Sequence, residues 1–274
     1  HMERDFFGTD GKPVMSSELQ YACVKYTYDE NGNLSGSRFY NLSGNLTLVD
    51  GVAGDIYVKD KRGNTIEHTP IGVNEQLANG RLKSKYKYDR YDNCIEQSLW
   101  DASGAALNRF DIHIYKYKYN TRNDLVEESY YGKNGQLTLN SSTNVAIARK
   151  EYNDRGEMIK QAYYGTDEKP CVCLEGWSNS TYEYDDYGNV VKQCFFGVDG
   201  KPCDPQKMPP VGLAKYDKWG NIIYIAAQDG YGKFIINPSK GWAICRMKYD
   251  NNGNKLEESY YNVSDKPMSC PEGY

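Results

Sequence analysis

A six-residue phrase recurs eight times in this chain: Tyr or Lys, then Asp or Asn, two variable residues, Gly, Asn or Asp, and finally Asn, Asp or Glu. The copies are Tyr28-Asp29…Gly32-Asn33, Lys59-Asp60…Gly63-Asn64, Tyr88-Asp89…Asp92-Asn93, Tyr119-Asn120…Asn123-Asp124, Tyr152-Asn153…Gly156-Glu157, Tyr184-Asp185…Gly188-Asn189, Tyr216-Asp217…Gly220-Asn221 and Tyr249-Asp250…Gly253-Asn254. Their Asp or Asn anchors fall 29 to 33 residues apart. So steady a period defines a repeat array, in which each unit buries its apolar face only against its neighbours. The array offers an extended surface rather than a single catalytic pocket.

Counting back from the first anchor, Tyr28, Tyr26, Val24 and Ala22 alternate with Thr27 and Lys25. The last copy repeats this with Tyr249, Met247, Cys245 and Ala243 against Lys248 and Arg246. Period-two alternation predicts a strand with one aromatic face and one charged face. The phrase itself then predicts a tight hairpin turn. Asp29, Asp185 and Asp250 accept backbone N–H bonds, Gly32, Gly188 and Gly253 take positive φ, and Asn33, Asn189 and Asn254 close the loop. A second strand follows, with an aliphatic six residues after the anchor (Ile66, Ile95, Val126, Ile159) and an aromatic pair ten and eleven after it (Tyr130-Tyr131, Tyr163-Tyr164, Phe195-Phe196). Another turn opens at Gly132, Gly165 or Gly197, and several copies of it end in Lys-Pro. No segment has helical periodicity. The prediction is all-β: about sixteen strands in hairpin repeats, too many for a flat open sheet, hence wound as a solenoid, spiral or partial barrel.

Tyr182-Glu183-Tyr184-Asp185-Asp186-Tyr187-Gly188-Asn189-Val190 and Tyr26-Thr27-Tyr28-Asp29-Glu30-Asn31-Gly32-Asn33-Leu34 resemble the repeats of the bacterial Rhs/YD-repeat proteins, and more remotely the teneurin shell. The resemblance covers nearly all of the chain. It implies a spiralling sheet of hairpins on a large secreted or surface protein, used as shell or adhesive stalk. The unit here is longer, near 32 residues, and adds the aromatic-aromatic-Gly and Gly-Lys-Pro elements, while no Rhs core or toxin segment is present.

Composition narrows the functions. Net charge is −4, from 33 basic and 37 acidic residues, so the electrostatic footprint of nucleic-acid binding is missing. No apolar run is long enough to span a membrane as a helix, and no membrane insertion is expected of this fragment. His1-Met2 reads as a cloning scar, leaving residues 3–274 as one array of about eight hairpin units. That array starts in mid-unit, at Phe6-Phe7-Gly8-Thr9-Asp10-Gly11-Lys12-Pro13, and stops in mid-unit at Pro271-Glu272-Gly273-Tyr274, so the expectation is a piece truncated at both ends. Eight Cys are scattered through the unit, with Cys171 and Cys203 sharing one register and Cys173 and Cys270 another. They read as small buried hydrophobes, with a Cys171–Cys203 bridge as the alternative.

Catalysis is not expected. His68 and His113 stand in different units without a paired nucleophile, and His113 falls on the inward face of its strand. The recurring Glu67, Glu96, Glu127 and Glu257 fit a solvated face paired across strands with Lys. The Asp29 and Asp250 loops lack the Gly and Glu spacing of a calcium loop, and no metal or cofactor is expected. The candidate binding feature is the row Tyr40, Trp100, Tyr131, Tyr164, Phe196 and Tyr261, on the face opposite the aliphatics. Exposed, these rings would form a ladder suited to sugars or a protein partner. Otherwise they pack beneath the Gly-Lys-Pro loops as a second core. Trp177 and Trp242 share one strand-start position and are expected to seal the edge of a unit. The expected role is a non-enzymatic structural or adhesive segment of a large bacterial surface or secreted protein, its partners being neighbouring repeats and an unidentified protein or glycan. The alternatives are a carbohydrate- or cell-wall-binding hairpin solenoid and part of a toxin-enclosing shell.

Overall fold

The computed structural model describes residues 2–203 and 208–269; His1, Cys270 and the Pro271-to-Tyr274 stretch lie outside the described residues. The strands in chain order are β1 (Met2–Asp5), β2 (Cys23–Tyr28), β3 (Leu34–Tyr40), β4 (Gly54–Lys59), β5 (Thr65–Ile71), β6 (Lys83–Tyr88), β7 (Cys94–Asp101), β8 (Gly104–Ala105), β9 (Ile114–Tyr119) and β10 (Leu125–Tyr131). They continue with β11 (Ile147–Tyr152), β12 (Met158–Tyr164), β13 (Asn179–Tyr184), β14 (Val190–Phe196), β15 (Val211–Tyr216), β16 (Ile222–Gln228), β17 (Ile244–Tyr249), β18 (Lys255–Tyr261) and β19 (Pro267–Met268). All belong to one antiparallel sheet, and among the described residues there is no helix. The fold is therefore an all-β array of hairpin repeats, and each of the eight phrases sits in the turn of one hairpin.

Within a hairpin the strands pair over six positions, as in Cys23↔Tyr40 through Tyr28↔Leu34. Successive hairpins pair over only two or three, as in Gly36↔Ile56, Ser37↔Asp55 and Arg38↔Gly54. The backbone thus ties a repeat to itself more than to its neighbour, and side chains must supply the rest. A β-bulge recurs one step before the turn, between Thr27 and Tyr28, Glu183 and Tyr184, and Lys248 and Tyr249. Bulges increase local twist.

The chain divides into two compact units: residues 1–118 with 130–138, and residues 119–129 with 139–274. In the second, one core contact recurs in two repeats. Trp177, eight residues before its anchor, lies between Tyr163 of the preceding repeat and Phe195 of its own, with ring centroids 4.7 and 5.3 Å away. It is only 5% exposed. Trp242 occupies the same place against Tyr260, at 6.0 Å. In the first unit Tyr21 does so between Phe6 and Phe39, at 5.5 and 5.0 Å. Both Trp therefore seal their repeats as the sequence predicts. The next residue along is small and buried in several repeats: Ala22, Ala53, Ala146, Ser178 and Ala243. A small residue there lets the bulky neighbour lie flat across the strands.

The opposite face is charged. Lys87–Glu96, Lys192–Glu183 and Lys248–Glu257 are direct cross-strand partners with N···O distances of 2.7 Å, and Lys160–Glu151 stands at 2.9 Å. Glu67 and Glu127 bond to Lys83 and Arg149 at 2.9 and 2.8 Å. The solvated, Lys-paired face is as expected, and exposed pairs of this kind each contribute about 0–1 kcal/mol.

Candidate functional site

Tyr40, Trp100, Tyr131, Tyr164, Phe196 and Tyr261 are all half-buried on the charged face. Five of them carry a cation over the ring, supplied by the first strand of the same hairpin. Lys25 stands 5.3 Å from the centroid of Tyr40, Lys85 4.8 Å from Trp100, Lys116 4.4 Å from Tyr131, Arg149 4.4 Å from Tyr164 and Arg246 4.1 Å from Tyr261. Phe196 has Thr181 on the corresponding partner position, and the row is interrupted by Ile71 and Gln228. Some cations are held from a second side. Arg149 bonds Glu127 at 2.8 Å and Arg246 bonds Asp265 at 2.8 Å, which raises both guanidinium pKa values further. Hydrogen bonds from Ser259 and Arg246 hold the Tyr261 phenol below its usual range. Five of the six positions are thus cation–aromatic contacts, each of those rings capped on one side, and Phe196 is not.

The turns are fully built. The Asp29 Oδ1 accepts the N–H groups of Asn31 and Asn33 at 2.9 and 2.8 Å, and its Oδ2 accepts the Asn33 amide at 3.0 Å. Asp185 and Asp250 repeat this with Asn189 and Asn254. Gly32, Gly188 and Gly253 have φ of 81°, 85° and 82°. The Asn side-chain bond is the main reason the Asp29, Asp185 and Asp250 carboxyls are held below the ordinary value. Two repeats exchange the roles. Asn120 and Asn153 are the anchors, and their amides donate to Asp124 and Glu157 at 2.8 and 2.6 Å. The sequence carries this exchange openly, since either the anchor or the residue four later is acidic in all eight copies.

Two residues after the anchor comes a position that the repeat pattern alone does not single out. Where it is Arg, it clasps the next turn. Arg62 donates to the Asp89 carbonyl at 2.8 Å and pairs with Asp92 at 2.8 Å. Arg122 reaches the Asn153 carbonyl at 2.7 Å and Arg155 the Asp185 carbonyl at 3.1 Å. Where it is aromatic, the ring stands in solvent: Tyr91 is 57%, Tyr187 82% and Trp219 59% exposed. Exposure could not be read from parity, because turn residues belong to neither face.

His113 is buried, bonded to the Ala106 carbonyl at 3.1 Å and edge-on to Trp100. His68 Nε2 lies 2.7 Å from Asp55 Oδ1, with the ring stacked on Tyr57 at 4.9 Å. The two histidines are not brought together. Cys171 and Cys203 are both thiols, so no bridge joins them, and Cys173 and Cys245 are buried. Donor atoms of Glu3, Asp5 and Cys23 fall within 4.8 Å of one another. The Cys23 thiol is pushed up to about 11 by burial and by Asp5, and Glu3 is engaged with Lys25. A thiol held protonated is a poor metal ligand.

No family model matches the chain, and no curated protein matches it. Solved structures do. One is a Tc holotoxin pore of Photorhabdus luminescens, 14% identical, covering 90% of this chain and 18% of that one, with a TM-score of 0.33. Another is a TcdB2–TccC3 complex without its hypervariable C-terminal region, 14% identical over 92% of this chain and 18% of that one, TM-score 0.31. A porin-like protein from Bacteroides uniformis is 10% identical, with 86% of each chain covered and a TM-score of 0.22. The chain therefore spans under a fifth of the toxin chains it matches.

Proposed function

We propose that this chain is a non-enzymatic repeat segment of the Rhs/YD-repeat type, serving as a structural and adhesive element of a large secreted or surface protein of a bacterium. The observation that carries this reading is the contact between repeats. Trp177 is enclosed by Tyr163 and Phe195, rings from two successive repeats, so a repeat finishes its core only on its neighbour. A chain built this way extends by adding hairpins, and its function lies along the array. The polar groups support the reading as well: turn carboxylates serve the turns, and strand carboxylates serve cross-strand Lys and Arg. The experiment is a turnover screen of the full chain on chromogenic ester, glycoside and peptide substrates. No turnover above buffer is expected. Turnover that disappears in His68→Ala, which removes the Asp55–His68 pair, would overturn the reading.

A further inference from the structure

We propose that the turn edge of the second unit binds an extended, neutral β-1,4-linked polysaccharide, with Tyr187 and Trp219 stacking on its sugar rings. The two residues hold the same place, two positions after the anchors Asp185 and Asp217 of consecutive repeats. Tyr187 is 82% exposed, and Trp219, with the Lys218 ammonium against one side of its ring, is still 59% exposed, whereas Arg122 and Arg155 in the preceding repeats lie down on the next turn instead. Exposed aromatics in a row, rather than singly, mark a contact surface.

Their backbone is already fixed. The N–H of Tyr187 donates to Asp185 Oδ1 and that of Trp219 to Asp217 Oδ1, both at 2.9 Å. Rings with two side-chain torsions on a locked turn lose little freedom on binding. The two turns belong to adjacent hairpins, β13–β14 and β15–β16, so the spacing is two strand widths, about 10 Å. That matches every second sugar of an extended β-1,4-linked chain, in which alternate residues present the same face. Asp186 and Lys218, both exposed beside the rings, supply an acceptor and a donor for sugar hydroxyls, and the Lys218 ammonium sits 4.2 Å from the Trp219 ring centroid. Charge selects a neutral chain over an acidic one: Asp185 and Asp186 adjoin Tyr187, and the Arg155 guanidinium is paired with Glu157 at 3.0 Å.

The site deepens the adhesive part of the proposed function. The test is a titration of the full chain with cellohexaose, with chitohexaose as a second arm and oligogalacturonate as the acidic control. Binding is read by isothermal titration calorimetry, which needs neither ring as its reporter and so serves every variant alike. Saturable binding of a neutral hexasaccharide is expected. It should be weakened about tenfold or more in Tyr187→Ala/Trp219→Ala at an unchanged melting temperature, and kept in Tyr187→Phe/Trp219→Phe. Absence of binding to both neutral sugars, stronger binding to the acidic one, or equal affinity in the double alanine variant would each overturn the site. None of these outcomes bears on the turnover screen, so the structural role stands or falls separately.

Discussion

The repeats anchored at Asp89 and Asp185 share a turn and differ in their cores. In both, the anchor carboxylate bonds two backbone N–H groups and the amide of the Asn four residues on, at 2.8 to 3.0 Å. Eight residues before the anchor they part. The Asp185 repeat has Trp177, wedged between two rings. The Asp89 repeat has Arg81, exposed, its guanidinium bonded to the Asp50 carbonyl of the repeat before. The flanking residues explain the exchange. Trp177 meets Tyr163 and Phe195, while the positions equivalent to those rings near Arg81 are Pro70 and Leu99. With no pair of rings to bridge, a large apolar plug has nothing to lie against. The turn is thus a local unit that any repeat can carry, and the core is a negotiation between neighbours.

The largest effect should come from breaking the richer core. Trp177→Ala removes a plug enclosed on both sides and should cost about 3–5 kcal/mol in urea denaturation. Arg81→Ala, at the same position of the other repeat, should stay within about 0.5 kcal/mol. Equal costs at the two sites would break the comparison.

Next come the turn glycines. Gly188→Ala forces a side chain into positive φ and should cost about 1–2 kcal/mol. The equivalent residue in the other turn is Asp92, already at φ 67°. There Asp92→Gly relieves that strain but loses the ion pair with Arg62, for a net change within about 0.5 kcal/mol.

Smaller still is the pH response. The Asp89 and Asp185 carboxyls are held below their ordinary value of 3.8, chiefly by the Asn side chains. A lowered folded-state pKa means that the unfolded chain takes up protons first. The contribution to stability is present above pH 3.8 and is lost as pH falls through that value toward the folded pKa. Because both turns make the same bonds, Asp89→Asn and Asp185→Asn should flatten the acid limb of a stability–pH curve equally, read by thermal melts between pH 5 and pH 2. Unequal flattening would show that the turns are less alike than their geometry.

The eight hairpins and their turns were legible because they are written in residues a few positions apart. Asp29, Gly32 and Asn33 carry their own geometry. The alternation before each anchor marks the aromatic and charged faces for the same reason. Trp177 and Trp242 could be recognised as edge seals, but not the rings they seal, since Tyr163 and Phe195 belong to different repeats. The row from Tyr40 to Tyr261 was placed on its face by parity, yet the cations above it come from diagonal cross-strand neighbours that only the register reveals. The recurring bulge left no signature, and neither did the exposure of Tyr187 and Trp219.

The chain's own order of residues determined the repeat, the hairpins and the closed Asp-to-Asn turns, because those rest on backbone conformation and hydrogen bonds within a few residues. Tertiary structure alone decided which rings are enclosed, which are capped by Lys or Arg and which face water. Burial depends on what the adjoining repeat brings alongside, and that neighbour lies some thirty residues away along the chain.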